Sequence, residues 1–579
     1  MKMPSYFKIA CALVLALFLG AVTASAESWK FGVMSDTQWK ANVEGQNPET
    51  VAVGIINQLN GQFINHNVKF VIQVGDLVDK ETNSPNGLPL DRTMDTRASA
   101  AQALYDAGIG FFPLRGNHEG SRTAALEFQT LYSQTTGSGP YVFGASNFSS
   151  PSTTLNGLSY TFDYNNARFV ILDQFTRTDG TNYLGSSNNN IIDQQGWVDM
   201  QLSTRAEKTH AFVFSHKNLI GQNHADGLFG SNPASNPDAQ NAFIGSLAAN
   251  GVRYHLGGHD HIHNRSIMTS PDGNNAVQDI IASSNSYKFY IPQIPSNDAK
   301  YNVPAFGFFR ETPIAQELFT VGYYLFTVDG PRVTVEHYAS SNGCDGDCDL
   351  ITTPTLTFTL RETFGYSLNG REFLVPQGAT YTTIEDSYHG TSARILDGVN
   401  GSTSVDYAGR AFTKTVDTGW THGTCATASN TLSLWGMTST LGSEQTDVYT
   451  LAMDYDRKHH RPEHLGHGGF GLATRNANGD WINAVDKNSG GTKKFVMGPW
   501  EPGYGLGTYG VDPRTHTAWA VINYNGDFAV SRFHHARSSH ENRDEHRGER
   551  ELFSDEHNEC RGEQENNTHD WQQHHADRD

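Results

Sequence analysis

Along residues 29–338 short apolar runs alternate with segments of helical period. Val68 to Val74 is a continuous apolar run interrupted only by Lys69 and Gln73, as a buried strand needs, and it stops at Gly75-Asp76. Ala98 to Ala107 predicts a helix, and Gly110 to Leu114 predicts the strand before Arg115-Gly116-Asn117-His118. Arg168 to Leu172, Ala211 to Ser215 and Tyr254 to Leu256 predict further strands. Gly322 to Val328 and Val333 to Tyr338, joined through Asp329-Gly330, predict a β-hairpin. Strands alternating with helices imply an α/β domain covered on both faces. Polar residues arrive where the apolar runs stop, and the carboxyl ends of strands are where open α/β sheets hold their sites.

Beyond the hairpin the texture changes. Residues 341–354 are rich in Gly, Asp, Cys and Thr and read as a linker closing a domain of residues 27–340. Residues 355–530 carry short Thr-, Gly- and aromatic-rich runs with frequent turn residues, which predicts a β-rich, sandwich-like accessory domain. From 531 to 579 apolar residues nearly vanish; such a tail cannot offset its ordering entropy and is expected to be disordered. Its His534-His535 and His574-His575 pairs read as part of a solvated tail, or of a shifted reading frame, ahead of a metal scavenger.

The first 26 residues form a Sec-type signal peptide: Lys2 and Lys8, an apolar Ile9 to Val22, then Ala24-Ser25-Ala26. Cleavage after Ala26 predicts a secreted or periplasmic protein with no transmembrane span in the mature chain. In that oxidising address Cys344 and Cys348 are expected to close a tight acidic loop with Asp345, Asp347 and Asp349. The 579 residues exceed one ordinary core, and the formal charge of -20 excludes a nucleic-acid-binding face or a basic face for anionic lipid. A phosphate must therefore be captured locally, by metals.

Five polar islands supply the ligands: Asp36-Thr37-Gln38, Gly75-Asp76, Gly116-Asn117-His118-Glu119, His216 and Gly258-His259-Asp260-His261. In an extended Asp-x-Gln the first and third side chains point the same way, so Asp36 and Gln38 can converge on one ion; His259 and His261 have the same spacing. Asp76, turned by Gly75, can bridge two ions, while Asn117 offers an amide oxygen and His216 an imidazole nitrogen to the second. Two metals so held suit phosphate-ester hydrolysis, because they neutralise phosphoryl oxygens and generate hydroxide near neutral pH.

In this order the islands resemble the signature of the calcineurin-like metallophosphoesterase superfamily, Asp-x-His, Gly-Asp, Gly-Asn-His-Glu/Asp, His, Gly-His-x-His, over about residues 29 to 340. The resemblance implies a β-sandwich of mixed sheets flanked by helices, with a dinuclear site at its loop end. Gln38 stands where His is more usual, which favours iron, manganese or magnesium while leaving zinc open. Purple acid phosphatases carry a tyrosine where this chain has Asp79. In the form resembling the serine/threonine phosphatase branch, Asp79 orients His118, the general acid, and Arg115 grips phosphate. The plain alternatives are a helix N-terminal acid for Asp79 and a surface ion pair for Arg115. Lys80, His224 and Asn218 rank as rim residues, and His255 and His263 as structural ones.

The implied mechanism places one ion among Asp36, Gln38, Asp76 and His261 and the other among Asp76, Asn117, His216 and His259. A bridging hydroxide then attacks a phosphate mono- or diester in line. Two other functions are open: a non-catalytic surface or glycan-binding protein on the same scaffold, contacting its partner through the β-rich domain, or an extracellular nucleotidase.

Overall fold

The computed structural model describes residues 27–39, 50–79, 90–181, 189–292, 308–341, 350, 352–375, 379–381, 384–399, 413–437, 445–456 and 468–533. The expected signal peptide, Lys80, the loop expected at Cys344–Cys348 and the expected polar tail lie outside them. Cys425 is disulfide-bonded, and its partner also lies outside them. No described helix is long and apolar enough to cross a membrane.

The first strands are β1 (Trp29–Met34), β2 (Phe70–Val74), β3 (Gly110–Leu114), β4 (Ser146–Ser149), β5 (Tyr160–Tyr164), β6 (Ala167–Leu172) and β7 (His210–Ser215). There follow β8 (Tyr254–Gly257), β9 (His263–Thr269), β10 (Ala276–Ile281), β11 (Glu311–Glu317), β12 (Thr320–Asp329), β13 (Arg332–Ser341) and β14 (Thr359–Ser367). They form two mixed sheets, ordered β14-β13-β12-β1-β2-β3 and β11-β9-β10-β8-β7-β6-β5-β4. Within them β1, β2 and β3 run parallel, as do β6, β7 and β8. All these parallel strands except β6 end directly at one of the five polar islands.

The inner faces pack into an aromatic core. Phe31 is fully buried, stacked on Phe326 at 4.6 Å and edge-on to Phe169 and Phe212 at 5.1 Å each. Outside the first sheet, helix α1 (Val53–Asn65) lays Ile55, Ile56, Leu59 and Phe63 against Val71, Phe111 and Leu325. Outside the second, α2 (Gln195–Ser203) and α3 (Pro237–Ala249) lay Val198, Leu202, Phe243 and Leu247 against Val170, Leu172 and Val213. Both sheets are thus covered on both faces, which is why their strands are continuous apolar runs.

The hairpin expected at Asp329-Gly330 is β12–β13, with Asp329 opposite Arg332. The helix expected over 98–107 is broken: one helix ends at Ser99 and another spans Gln102–Asp106. The Asn60 amide donates to the Ala100 carbonyl at 2.8 Å, and Leu104 N–H turns instead to Ala101. The first sheet also runs on past residues 341–354, because β14 pairs antiparallel with β13. The remaining strands form two six-stranded sheets whose facing sides share one core, including Trp420, Leu434, Phe470 and Phe528 from one sheet and Ile395, Leu451, Val511 and Ile522 from the other.

Phe31→Ala should cost roughly 3–5 kcal/mol, because it opens a cavity where the two inner faces meet. Guanidinium denaturation of the purified chain checks this; a loss below about 1 kcal/mol would mean that the aromatic layer closes around the gap.

Candidate metal centre

Asp36 follows β1, Asp76 follows β2, Asn117 follows β3, His216 follows β7 and His259 follows β8. All lie at one edge of the two facing sheets. Ligand atoms of Asp76, His216 and His259 lie within 4.8 Å of one another, and so do those of Asp36, Asp76 and His261. Asp76 belongs to both groups, and all these residues are buried.

The backbone accepts strain to achieve this. Asp76 has φ +46°, His259 +73° and His261 +53°, a left-handed region that side chains other than glycine seldom adopt. The two histidines therefore do not follow the period of an extended strand, as their spacing predicted. They turn toward different groups. At Gly116 an added Cβ would fall 1.9 Å from Asp76 Oδ1, and at Gly75, with φ +97°, 2.4 Å from His216 Nδ1. Backbone must approach carboxylate and imidazole at both places, so only glycine fits.

The protonation pattern shows what the site accommodates. His216 Nδ1 donates to the Val74 carbonyl at 2.9 Å, which turns Nε2 toward Asn117 Oδ1 at 2.9 Å and Asp76 Oδ1 at 3.3 Å. His261 Nδ1 faces Ser284 Oγ at 3.1 Å and the Lys288 carbonyl at 3.2 Å, which turns its Nε2 toward Asp36 Oδ1 at 3.7 Å. Such hydrogen bonds fix the tautomer that metal-binding histidines use. Lone pairs of imidazole, carboxylate and amide oxygen then point at one another, which is stable only around a proton or a cation. Burial disfavours charge on His216, yet Asp76 and Asp36 outweigh it and push its pKa up to about 9. Gln38 Nε2 donates to Asp76 Oδ2 at 3.1 Å and lies 3.1 Å from His261 Nε2, while the other end of the amide, Oε1, is buried without a hydrogen-bond partner, so that a half-turn of the amide would bring it to the ligands. A buried carbonyl oxygen without a donor fits a cation's ligand.

Other side chains hold the loops. Glu119 accepts from Gly116 N–H at 2.8 Å and Val78 N–H at 2.9 Å, tying the third island to the second. Asp260, unassigned from sequence, accepts from His224 Nδ1 at 2.7 Å and from the backbone N–H of Gln222, Asn223 and His224. Asn285 accepts from Ser35 N–H at 2.8 Å and donates its own backbone N–H to the Asp36 carbonyl at 3.1 Å.

His118 stands beside the ligands, partly exposed, with Nε2 3.8 Å from Asp76 Oδ2. Its Nδ1 lies 2.6 Å from the Asp79 backbone carbonyl and 3.8 Å from the Asp79 carboxylate. The orienting group is thus the main chain of Asp79, because the carbonyl is closer than the acid expected to do it. Arg115 is not at the site. It is fully buried, its Nε donating to Asp173 at 2.7 Å and its two terminal nitrogens to Asp173, Thr176 and the carbonyls of Glu119 and Ser121. With all five N–H groups committed, it cannot turn to a phosphate, nor is it the surface pair that was the alternative.

His255 is buried between Asp279 at 2.7 Å and Ser215 at 3.0 Å, and His263 between Tyr324 at 2.7 Å and Glu362 at 3.2 Å, as structural residues. Asn218 is buried too, donating to the Gly258 carbonyl at 2.8 Å. His224 is half-buried and stacks on His259 at 4.0 Å. Asp226, Lys288 and Tyr290 also reach this edge. They sit in loops without a motif, so no spacing signalled them.

Two mixed sheets covered by helices carry, at their strand ends, two buried groups of candidate metal ligands that share one aspartate. Residues 30–263 match the calcineurin-like phosphoesterase family, and this part of the chain is a calcineurin-like phosphoesterase domain. No curated protein matches the chain. Among solved structures, the purple acid phosphatase PPD1 from yellow lupin (Lupinus luteus) seeds is 15% identical over 57% of this chain, with a TM-score of 0.37; the chain spans 57% of that protein. A dimetal phosphatase from Danio rerio is 17% identical over 53% of this chain and 95% of its own, with a TM-score of 0.33. GAP50, the anchor in the inner membrane complex of Plasmodium, is 15% identical over 56% of this chain and 89% of its own, with a TM-score of 0.32.

With its pKa pushed up to about 9 by Asp76 and Asp36, His216 should carry a proton at neutral pH in the metal-free protein, and metal uptake should displace it. Apparent affinity should fall about tenfold for each pH unit below that value. Titration calorimetry in buffers of differing ionisation heat should show close to one proton released per site at pH 7; no release would exclude this protonation state.

Proposed function

We propose that the chain is an exported, dinuclear metal-dependent phosphoesterase. The observation that carries the reading is the pair of buried ligand groups joined by Asp76. Asp36, Gln38, Asp76 and His261 would hold one ion, and Asp76, Asn117, His216 and His259 the other. Gln38 offers an amide oxygen in place of an imidazole, which favours the harder iron, manganese or magnesium over zinc. Export rests on the charged, apolar and small-residue succession of residues 1–26.

When bound, the ions supply Lewis acidity toward phosphoryl oxygens and a hydroxide nucleophile near neutral pH. The chain's own residues do the rest. Asp76 and His216, shut away from solvent, present fixed charge and lone pairs without reorganisation. His118 donates Nδ1–H to the Asp79 carbonyl, which aims Nε2 into the site, where an imidazolium can protonate a departing oxygen.

Asp76→Asn should abolish metal-dependent hydrolysis of p-nitrophenyl phosphate and lower the bound-metal count measured by elemental analysis. Retention of full activity would overturn the reading.

His118→Ala should keep the metals and slow alkyl phosphates by about 10²–10⁴-fold while affecting p-nitrophenyl esters far less, because only a poor leaving group needs the proton. Equal losses on both, read from kcat, would remove His118 from that role.

A further inference from the structure

With Arg115 locked in the protein interior, the cation expected to meet the phosphoryl group must come from elsewhere, and the described residues offer one. Lys288 stands where that charge is wanted. Its backbone is fixed under the ligands, the carbonyl accepting from Ser284 Oγ at 2.8 Å and facing His261 Nδ1 at 3.2 Å. Its side chain is partly exposed, with Nζ 5.7 Å from the Tyr290 ring centre and 5.9 Å from that of Tyr287. Tyr290 in turn lies edge-on to His261 at 5.0 Å and to His224 at 5.2 Å, so the lysine and tyrosine form a wall beside these histidines. The Tyr290 hydroxyl is hydrogen-bonded to the Lys288 ammonium. An ammonium is the ordinary state of a lysine side chain at neutral pH. Among the described residues Lys288 makes no ion pair with a carboxylate within 4.0 Å. Among the described residues another lysine at this edge, Lys217, is buried and paired with Asp226 at 2.5 Å.

We propose that Lys288, supported by the Tyr290 hydroxyl, binds a phosphoryl oxygen of the substrate and thereby selects phosphate monoesters over diesters. The inference rests on the phosphoesterase reading of the metal centre. Its chemistry is a charge count. A monoester dianion has three non-bridging oxygens; two can be neutralised by two ions, which leaves a third, charged oxygen for an ammonium. In a diester that third position carries an esterified, uncharged oxygen. An ammonium there gains little, and the second alcohol group must crowd past the Lys288–Tyr290 wall.

The test compares the metal-loaded full chain with Lys288→Gln and Lys288→Arg, by bound-metal analysis, by calorimetric binding of inorganic phosphate, and by kinetics on p-nitrophenyl phosphate and bis(p-nitrophenyl) phosphate. Expected for Lys288→Gln are an unchanged metal content, phosphate binding weaker by about 10- to 100-fold, and a similar fall in kcat/KM for the monoester. The diester should stay within about threefold, and Lys288→Arg should recover part of the monoester loss, since it keeps the charge. Unchanged phosphate affinity, or loss of metal from Lys288→Gln, would overturn the assignment, and equal losses on the two esters would overturn the selectivity. If the wild-type chain binds two metals and phosphate but hydrolyses neither ester, the phosphoesterase reading fails, while the phosphate titration still decides the role of Lys288.

Discussion

Everything at this edge of the molecule follows from one constraint: the Asp76 carboxylate must sit in a dry place, where the N–H groups of Gln38 and of the His118 backbone answer only part of its charge. Its oxygens face the His216 imidazole, the Gln38 amide and the edge of His118. In water such a cluster would disperse. In a low-dielectric pocket two donated N–H bonds leave a carboxylate's charge under-compensated, and positive charge beside it is strongly favoured. In the metal-free chain a proton on His216 supplies part of that charge. The same cost explains the strained backbone at Asp76, His259 and His261, since three left-handed residues in one cluster need a surround that over-determines them.

The surround is the double sheet. Parallel strands deliver their carboxyl ends to one edge, and because both sheets are covered on both faces, those ends are held by packing rather than by loops. The aromatic layer around Phe31 fixes the spacing of the two sheets and hence the distance between Asp76 on one and His216 on the other. Glu119, Asp260 and Asn285 then tie each ligand loop to its neighbour through backbone N–H groups. A carboxylate that accepts two or three such bonds restrains a turn more firmly than a turn restrains itself.

The strands and the polar residues gathered at their ends were legible in the sequence for the same reason. A strand covered on both sides must be a continuous apolar run, and a ligand must interrupt it where it ends, so runs such as Phe70–Val74 followed by Gly75-Asp76 announce both. What was not legible depends on contacts remote in sequence. The break near Ala100 comes from Asn60, forty residues away, competing for a carbonyl. Arg115 has the right position beside Gly116 for a phosphate grip, but Asp173, across the interior, claims it. The helper of His118 is the right residue acting through the wrong group, because spacing identifies Asp79 and cannot tell its carbonyl from its carboxylate. Lys288 and Tyr290 carry no motif at all; a loop brings them to His261.

The exchange of Arg115 for Lys288 has a physical logic. An arginine at a strand end between two sheets is desolvated, and a planar fork with five donors is the group best able to neutralise a buried aspartate while bonding several carbonyls at once. Once so used, it is frame rather than reagent. The charge that meets a substrate has a different requirement: it must stay solvated until the phosphate arrives and then adapt to its position. A lysine on a loop, with a compact ammonium on a flexible stem and a tyrosine hydroxyl to steady it, suits that task. On the proposed role of Lys288, the site separates the cation that builds the pocket from the cation that reads the ligand, and a loop can vary the second without disturbing the first.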